Sequence, residues 1–297
     1  MNNDRITRPL LAALLCVAGG AVQAQSSISV GSPYTQNFDT LANLGTANTW
    51  TDNTSPLQGW YAARTSGAAT TYRAGTGSEN TGAIYSFGSL SSSERSLGSL
   101  PSGSTGTICY GLRLTNTGST FDGFEIAYTG EQWRNGGNTT PQTVSFHYRV
   151  VPTGTSIALG CGTTTDWTAV TDLNFTGPIA TETAGALDGN IGANRLARSA
   201  NISSSVSSGS EIWLRWSDGD DSGTDHGLSI DDLTVTATTA IPTLSINNVS
   251  QVEGNSGITN FAFTVSLSAP APAGGVSFDI NSADGTADAW GQRLSVD

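Results

Sequence analysis

Short runs of alternating apolar and polar residues recur along the chain, separated by clusters of Gly, Ser, Thr and Asn. A period of two puts successive side chains on opposite faces of a pleated strand, so each run predicts a half-buried β-strand. In "VSFHYRV" the apolar set is Val144, Phe146, Tyr148 and Val150; the opposite set is Ser145, His147 and Arg149, which places His147 on a solvent face. "FEIAY" repeats the pattern with Phe124, Ile126 and Tyr128, and "IWLRW" with Ile212, Leu214 and Trp216. Lysine is absent and there are 36 glycines, so long helices have little to build from. The expected fold class is all-β. A large jelly-roll-like β-sandwich is read over residues 25–239, and part of a second sandwich over 243–297. Between them lies the small-residue joint "TATTAIPTL", with residues 240–242 as the linker.

The amino terminus breaks this pattern. Arg5 and Arg8 precede the apolar run "LLAALLCVAGGA" and the small-residue ending "AVQA", so residues 1–24 read as a secretory signal peptide. The apolar core is too short for a membrane anchor, and no later run approaches the ~20 apolar residues of a span. No transmembrane segment is therefore expected after cleavage. The twelve basic residues, all Arg, face 24 acidic ones, for a net charge of -12. Such a surface repels phosphate backbones, and nucleic acid is not an expected partner. Beyond the leader only Cys109 and Cys161 remain; an even pair in an exported chain points to a disulfide rather than a zinc site or a nucleophile.

The densest charge lies in "WSDGDDSGTDHGLSIDDL", residues 216–233, in which Trp216 ends one expected strand, Leu228 begins the next, and residues 218–227 form the connecting loop. Asp218, Asp220, Ser222 and Gly223 match positions one, three, five and six of a calcium loop, where alternate oxygens turn inward and glycine permits the sharp bend. Asp225 adds another oxygen. Ser229 stands where a bidentate Glu would close such a loop, so Asp231 or Asp232 would have to replace it from the next strand. The alternation of that strand changes phase there, which marks a bulge. An all-oxygen set favours calcium over zinc or copper. The alternative is a solvated acidic turn whose carboxylates cap backbone amides.

"YTGEQWRNGG" places Trp133 beside Glu131 and Arg134 at a strand end, a combination that can stack on and hydrogen-bond a sugar ring. "GWYAAR", with Trp60, Tyr61 and Arg64, extends that platform. The competing reading packs Trp133 over a sandwich end and pairs Glu131 with Arg134. No Gly-x-Ser-x-Gly elbow or phosphate-binding loop is present, and His226 is the one histidine near carboxylates.

Three segments of the chain end, "INNVSQVEGNSG", "TVSLSAPA" and "ADGTAD", occur in the order and at the spacing of the Calx-beta family. The stretch from Ile241 to Asp288 resembles the first half of such a module. The resemblance implies an immunoglobulin-like sandwich, and calcium ligands at Glu253 and Asp284. "YTQNFDTL", "GAIYSFGS" and "RWSDGDDSGTDHGLSIDDLTVT" resemble the amino-terminal β domain of large bacterial exported proteins that carry Calx-beta repeats or a nuclease-type domain. Together these imply an exported, non-enzymatic, calcium-associated protein, secreted or at the cell surface, that binds an extracellular protein or glycan in adhesion. The alternative is the accessory front end of a secreted metal-dependent nuclease or phosphoesterase.

Overall fold

The computed structural model describes residues 26–239, 243–252, 254–268 and 276–279; the signal segment, Glu253 and Asp284 lie outside them. The chain divides into two units, Met1–Thr238 and Thr239–Asp297. In the first unit the strands run in chain order as β1 (Ser27–Ile28), β2 (Tyr34–Gln36), β3 (Asn48–Thr49), β4 (Trp60–Arg64), β5 (Thr71–Gly75), β6 (Ala83–Phe87), β7 (Ser96–Leu100) and β8 (Ile108–Asn116). They continue as β9 (Phe121–Asn135), β10 (Thr143–Val151), β11 (Thr168–Ala169), β12 (Phe175–Thr176), β13 (Gly185–Ala186), β14 (Arg195–Val206), β15 (Glu211–Asp218) and β16 (Gly227–Thr238). The only helical turns among the described residues are two 3₁₀ segments, Thr171–Leu173 and Gly192–Asn194.

These strands form two sheets. In the first, β8, β15 and β10 are adjacent; β1 and β4 extend the β8 edge, and β11 and β12 the β10 edge. The second runs β13-β9-β16-β7-β6-β5-β3, with β14 on the β13 edge of β9 and β2 beyond β7 along β16. From β8 onward the long strands alternate between sheets, which gives the jelly-roll sandwich.

Alternation along each strand decides what lies between the sheets. Ile212, Leu214 and Trp216 of β15, Val144 and Phe146 of β10, and Phe124 and Ile126 of β9 are fully buried in one core. Trp216 stacks on Trp60 at 5.7 Å and meets Phe146 edge-on at 5.1 Å. On β16 the inward set changes phase, from Leu228 and Ile230 to Leu233, Val235 and Ala237. A bulge accounts for the change: the register against β9 slips between Asp231 and Thr234, and Asp232 takes a left-handed φ of 51°. Here β16 also exchanges its neighbour β7 for β2.

The outer face of the first sheet is covered. Cys109 and Cys161 form a disulfide with Cα atoms 5.6 Å apart, which ties β8 to the long β10–β11 connection. Arg215 on β15 donates to the carbonyls of Leu159, Gly160 and Thr163 in that connection, and its guanidinium lies 4.3 Å over the Trp167 ring. His147 pairs in register with Arg215 and is only 7 % exposed, which corrects the expectation of a solvent-facing residue. The phase of the strand was right, but the cover lay outside it. Burial and the neighbouring Arg215 charge both lower the His147 pKa.

In the second unit, β17 (Leu244–Ile246) pairs antiparallel with β18 (Val265–Leu267). None of its described residues is buried, and Phe261, Phe263, Val276 and Phe278 are exposed.

Candidate metal centre

The outer face of the second sheet carries its own small core: Ala83, Tyr85, Phe87, Leu100 and Trp133. Trp133 is held between Phe87, stacked at 6.2 Å and 4°, and Gly189, whose missing side chain lets the backbone lie against the indole. An added Cβ there would fall 2.4 Å from Nε1. This layer removes water from polar side chains that strand phase alone would expose.

Three carboxylates meet beneath it. Glu131 of β9 pairs in register with Ser229 of β16, so Asp231, two residues further along, shares its face. Glu94 enters from the loop just before β7. One carboxylate oxygen from each residue lies within 4.8 Å of the other two, and among the described residues no other three His, Cys, Asp or Glu side chains converge in this way. Trp133 Nε1 donates to Glu131 Oε2 at 3.0 Å, Asn190 Nδ2 to Glu94 Oε2 at 2.7 Å, and the Asp232 N–H to Asp231 Oδ1 at 2.7 Å. Arg195 Nη2 lies 3.7 Å from both Glu131 Oε1 and Asp232 Oδ2. Glu131 Oε1 and Glu94 Oε1 are buried and accept no hydrogen bond.

Burial pushes the Glu131 carboxyl up to about 7, against the smaller opposing pulls of Trp133 and Arg195. Asp231 is raised by burial and then by the Glu131 charge. Three acids with one shared guanidinium leave uncompensated negative charge in a dry place, which is costly unless protons or a cation neutralise it. The donor set fits a hard divalent cation. Ligand oxygens sit about 2.3–2.6 Å from calcium, so oxygens around one ion lie within about 5 Å of each other. Glu94 Oε1 and Glu131 Oε1, the latter facing Arg195 at 3.7 Å, accept no hydrogen bond and keep lone pairs for an ion.

Of the residues expected from sequence, Asp231 and Glu131 belong to this centre. Asp232 is exposed beside it and pairs with Arg195. The acidic loop does not bring Asp218, Asp220 and Asp225 together as a trio. Asp218 is buried at the end of β15, accepts from Ser99 Oγ at 2.7 Å, and is raised well above the usual carboxylate range by burial. Asp225 caps the Asp221 N–H at 2.9 Å and is pushed by burial to about 6. Asp220 and Ser222 are exposed. His226 Nδ1 accepts the Gly136 N–H at 2.9 Å, and burial lowers its pKa.

Of the two readings of the Trp133–Glu131–Arg134 segment, Trp133 follows the packed one, while Glu131 meets Arg195 rather than Arg134. Trp133 is 1 % exposed with both ring faces covered, and Arg134 donates to the carbonyls of Gly77 and Ser78. Trp60 is wholly buried against Trp216, Arg64 donates to the Ala68 carbonyl, and Tyr61 tilts against Trp213 at 4.8 Å. Glu94 was missed; nothing in "SSSERS" distinguishes it from any polar turn.

Next to the centre runs an open groove of about 610 Å³, lined among others by Ser78, Glu79, Leu90, Leu187 and Asp188, with Trp133 at its floor. The Asp188–Asn190 turn joins the two features, because Asp188 Oδ1 accepts the Asn190 N–H at 3.0 Å while Asn190 holds Glu94.

No protein-family model matches the chain, and no curated protein matches it. Among solved structures it is similar to the enzymatically active domain of bacteriophage CBA120 tailspike protein 4, at 9 % identity and a TM-score of 0.33, covering 60 % of this chain and 19 % of that one. The CBM22-1 xylan-binding domain of Paenibacillus barcinonensis Xyn10C matches at 11 % identity and a TM-score of 0.33, over 73 % of this chain and 100 % of that one. The K3 cleaved adhesin domain of Porphyromonas gingivalis Lys-gingipain matches at 14 % identity and a TM-score of 0.33, over 60 % and 91 %.

Proposed function

We propose that this chain is an exported, non-enzymatic binding protein whose first sandwich holds one calcium ion at Glu94, Glu131 and Asp231. The observation that carries this reading is the convergence of three carboxylate oxygens within 4.8 Å, two of the residues being buried and two having a buried oxygen that accepts no hydrogen bond. The ion would tie β9, β16 and the loop before β7 together, fixing the turns that surround the groove. A structural rather than catalytic role is supported by the neighbourhood: an indole, an asparagine and an arginine face the carboxylates, and neither buried histidine takes part.

The partner in this reading is an extracellular protein or glycan met at the loop-bearing face, in keeping with adhesion at a cell surface or in a matrix. The test is a calcium titration by calorimetry at neutral pH on the leaderless chain. Binding with a Kd of about 10⁻⁴ M or tighter is expected, lost in Asp231→Asn and Glu131→Gln. Heat signals unchanged by both substitutions would exclude this centre.

A further inference from the structure

The groove beside the acidic centre is built differently from its surroundings. One wall, around Ser78 and Glu79, offers a hydroxyl and a carboxylate; the other carries Leu187 and Asp188, and Leu90 stands at the rim 79 % exposed. Both walls hang from the same residue. Leu187 N–H donates to the Trp133 carbonyl at 2.7 Å, and Gly77 passes so close to that carbonyl that a Cβ on it would lie 1.7 Å from the oxygen. Arg134 fastens the near wall by donating to the Gly77 and Ser78 carbonyls. The groove is therefore preformed, which lowers the ordering cost of filling it.

We propose that this groove binds an uncharged oligosaccharide. A sugar ring has apolar C–H faces and hydroxyl edges. The lining offers both counterparts: aliphatic side chains at Leu90 and Leu187, and hydrogen-bond acceptors at Glu79 and Asp188, with the Ser78 hydroxyl shared with Thr76 Oγ1 at 2.9 Å. Each carboxylate has one oxygen engaged in its own turn, Glu79 Oε2 by the Thr76 N–H and Asp188 Oδ1 by the Asn190 N–H. The second oxygen of each is left to accept a ligand hydroxyl. Two acids and an arginine already committed to backbone carbonyls make the lining negative, which disfavours phosphate, sulfate and uronate groups. The main chain of the Leu187 wall is already paired to β9, so an extended peptide finds little backbone to bond there. A volume of about 610 Å³ suits a few sugar rings rather than a folded partner.

This inference rests on the binding-protein reading above, and its test separates the two. The calcium-loaded leaderless chain is titrated calorimetrically with xylohexaose, cellohexaose, mannohexaose and laminarihexaose, and with an oligogalacturonate as the charged control. At least one neutral sugar is expected to bind, weakened about tenfold or more, the equivalent of one lost contact, in Leu90→Ala and in Glu79→Gln. The galacturonate is expected not to bind. No binding by any neutral sugar, binding unaffected by both groove substitutions, or stronger binding of the galacturonate would overturn the proposal. If calcium still binds in that case, the metal centre stands and the groove assignment alone falls.

Discussion

The indole Nε1 of Trp133 donates to Oε2 of Glu131 at 3.0 Å, and Trp213 makes the same 3.0 Å bond to Glu211 on the other sheet. Both are Glu-x-Trp pairs on one strand, where residues two apart share a face and the indole can lie over the carboxylate. Each indole satisfies one oxygen. Glu131 differs from Glu211 in its company: a carboxylate oxygen of Glu94 and one of Asp231 converge with one of its own within 4.8 Å, while its Oε1 lies 3.7 Å from Arg195.

Glu131→Gln separates the pair from the metal. The amide oxygen still accepts from Trp133, while a buried charge is removed. The expected result is a metal-free melting temperature at neutral pH equal to or above that of the parent, with no rise on adding calcium. In the parent, a hundredfold excess of calcium over Kd corresponds to about 2.7 kcal/mol, or a rise of roughly 5–10 °C. Scanning calorimetry of both proteins in calcium and in chelator reads this directly.

Metal-free stability is expected to fall with rising pH. The folded-state pKa of Glu131 lies above its ordinary value of 4.5, at about 7, and that of Asp231 is also raised. The folded chain therefore binds more protons than the unfolded one between these limits. The stabilising difference is complete below the ordinary value and is lost as pH climbs through about 7. For Glu131 it amounts to at most about 3 kcal/mol. Calcium needs the deprotonated forms, so its binding should release protons and its stabilising effect should grow from pH 5 to pH 8. Urea titrations across that range, with and without calcium, check both slopes.

On the first sheet, Arg215→Met is expected to cost about 3 kcal/mol, because it leaves the carbonyls of Leu159, Gly160 and Thr163 without their donor under a covered face. Opening the Cys109–Cys161 bond acts on the same cover. With the cysteines 52 positions apart in sequence, loop-closure entropy alone puts the loss at about 4 kcal/mol. Chemical denaturation should show the two losses to be less than additive, since both release one loop.

Strand phase was readable because alternation is local. Phe124, Ile126, Val144, Phe146, Ile212, Leu214 and Trp216 all turn inward as the pattern requires, and the phase change near Asp231 marks a true bulge. What covers a strand's outer face is not local. His147 was read as a surface residue, and Trp133 was left between a sugar platform and packing over a sandwich end, because the loops that bury them join from far along the chain. The same reason hid the carboxylate cluster: Glu131 and Asp231 meet through register across β9 and β16, and Glu94 joins them from the loop before β7, whereas the aspartates close in sequence, Asp218 to Asp225, do not converge.

Terbium luminescence offers the most direct test, because terbium replaces calcium and emits when an excited indole lies beside it. Trp133 touches Glu131, so exciting the tryptophans of terbium-loaded protein should give strong sensitised emission that calcium displaces. Trp133→Phe should remove most of that emission while calcium still binds. Emission absent in the parent, or undiminished without the Trp133 indole, would contradict a cation held by Glu94, Glu131 and Asp231.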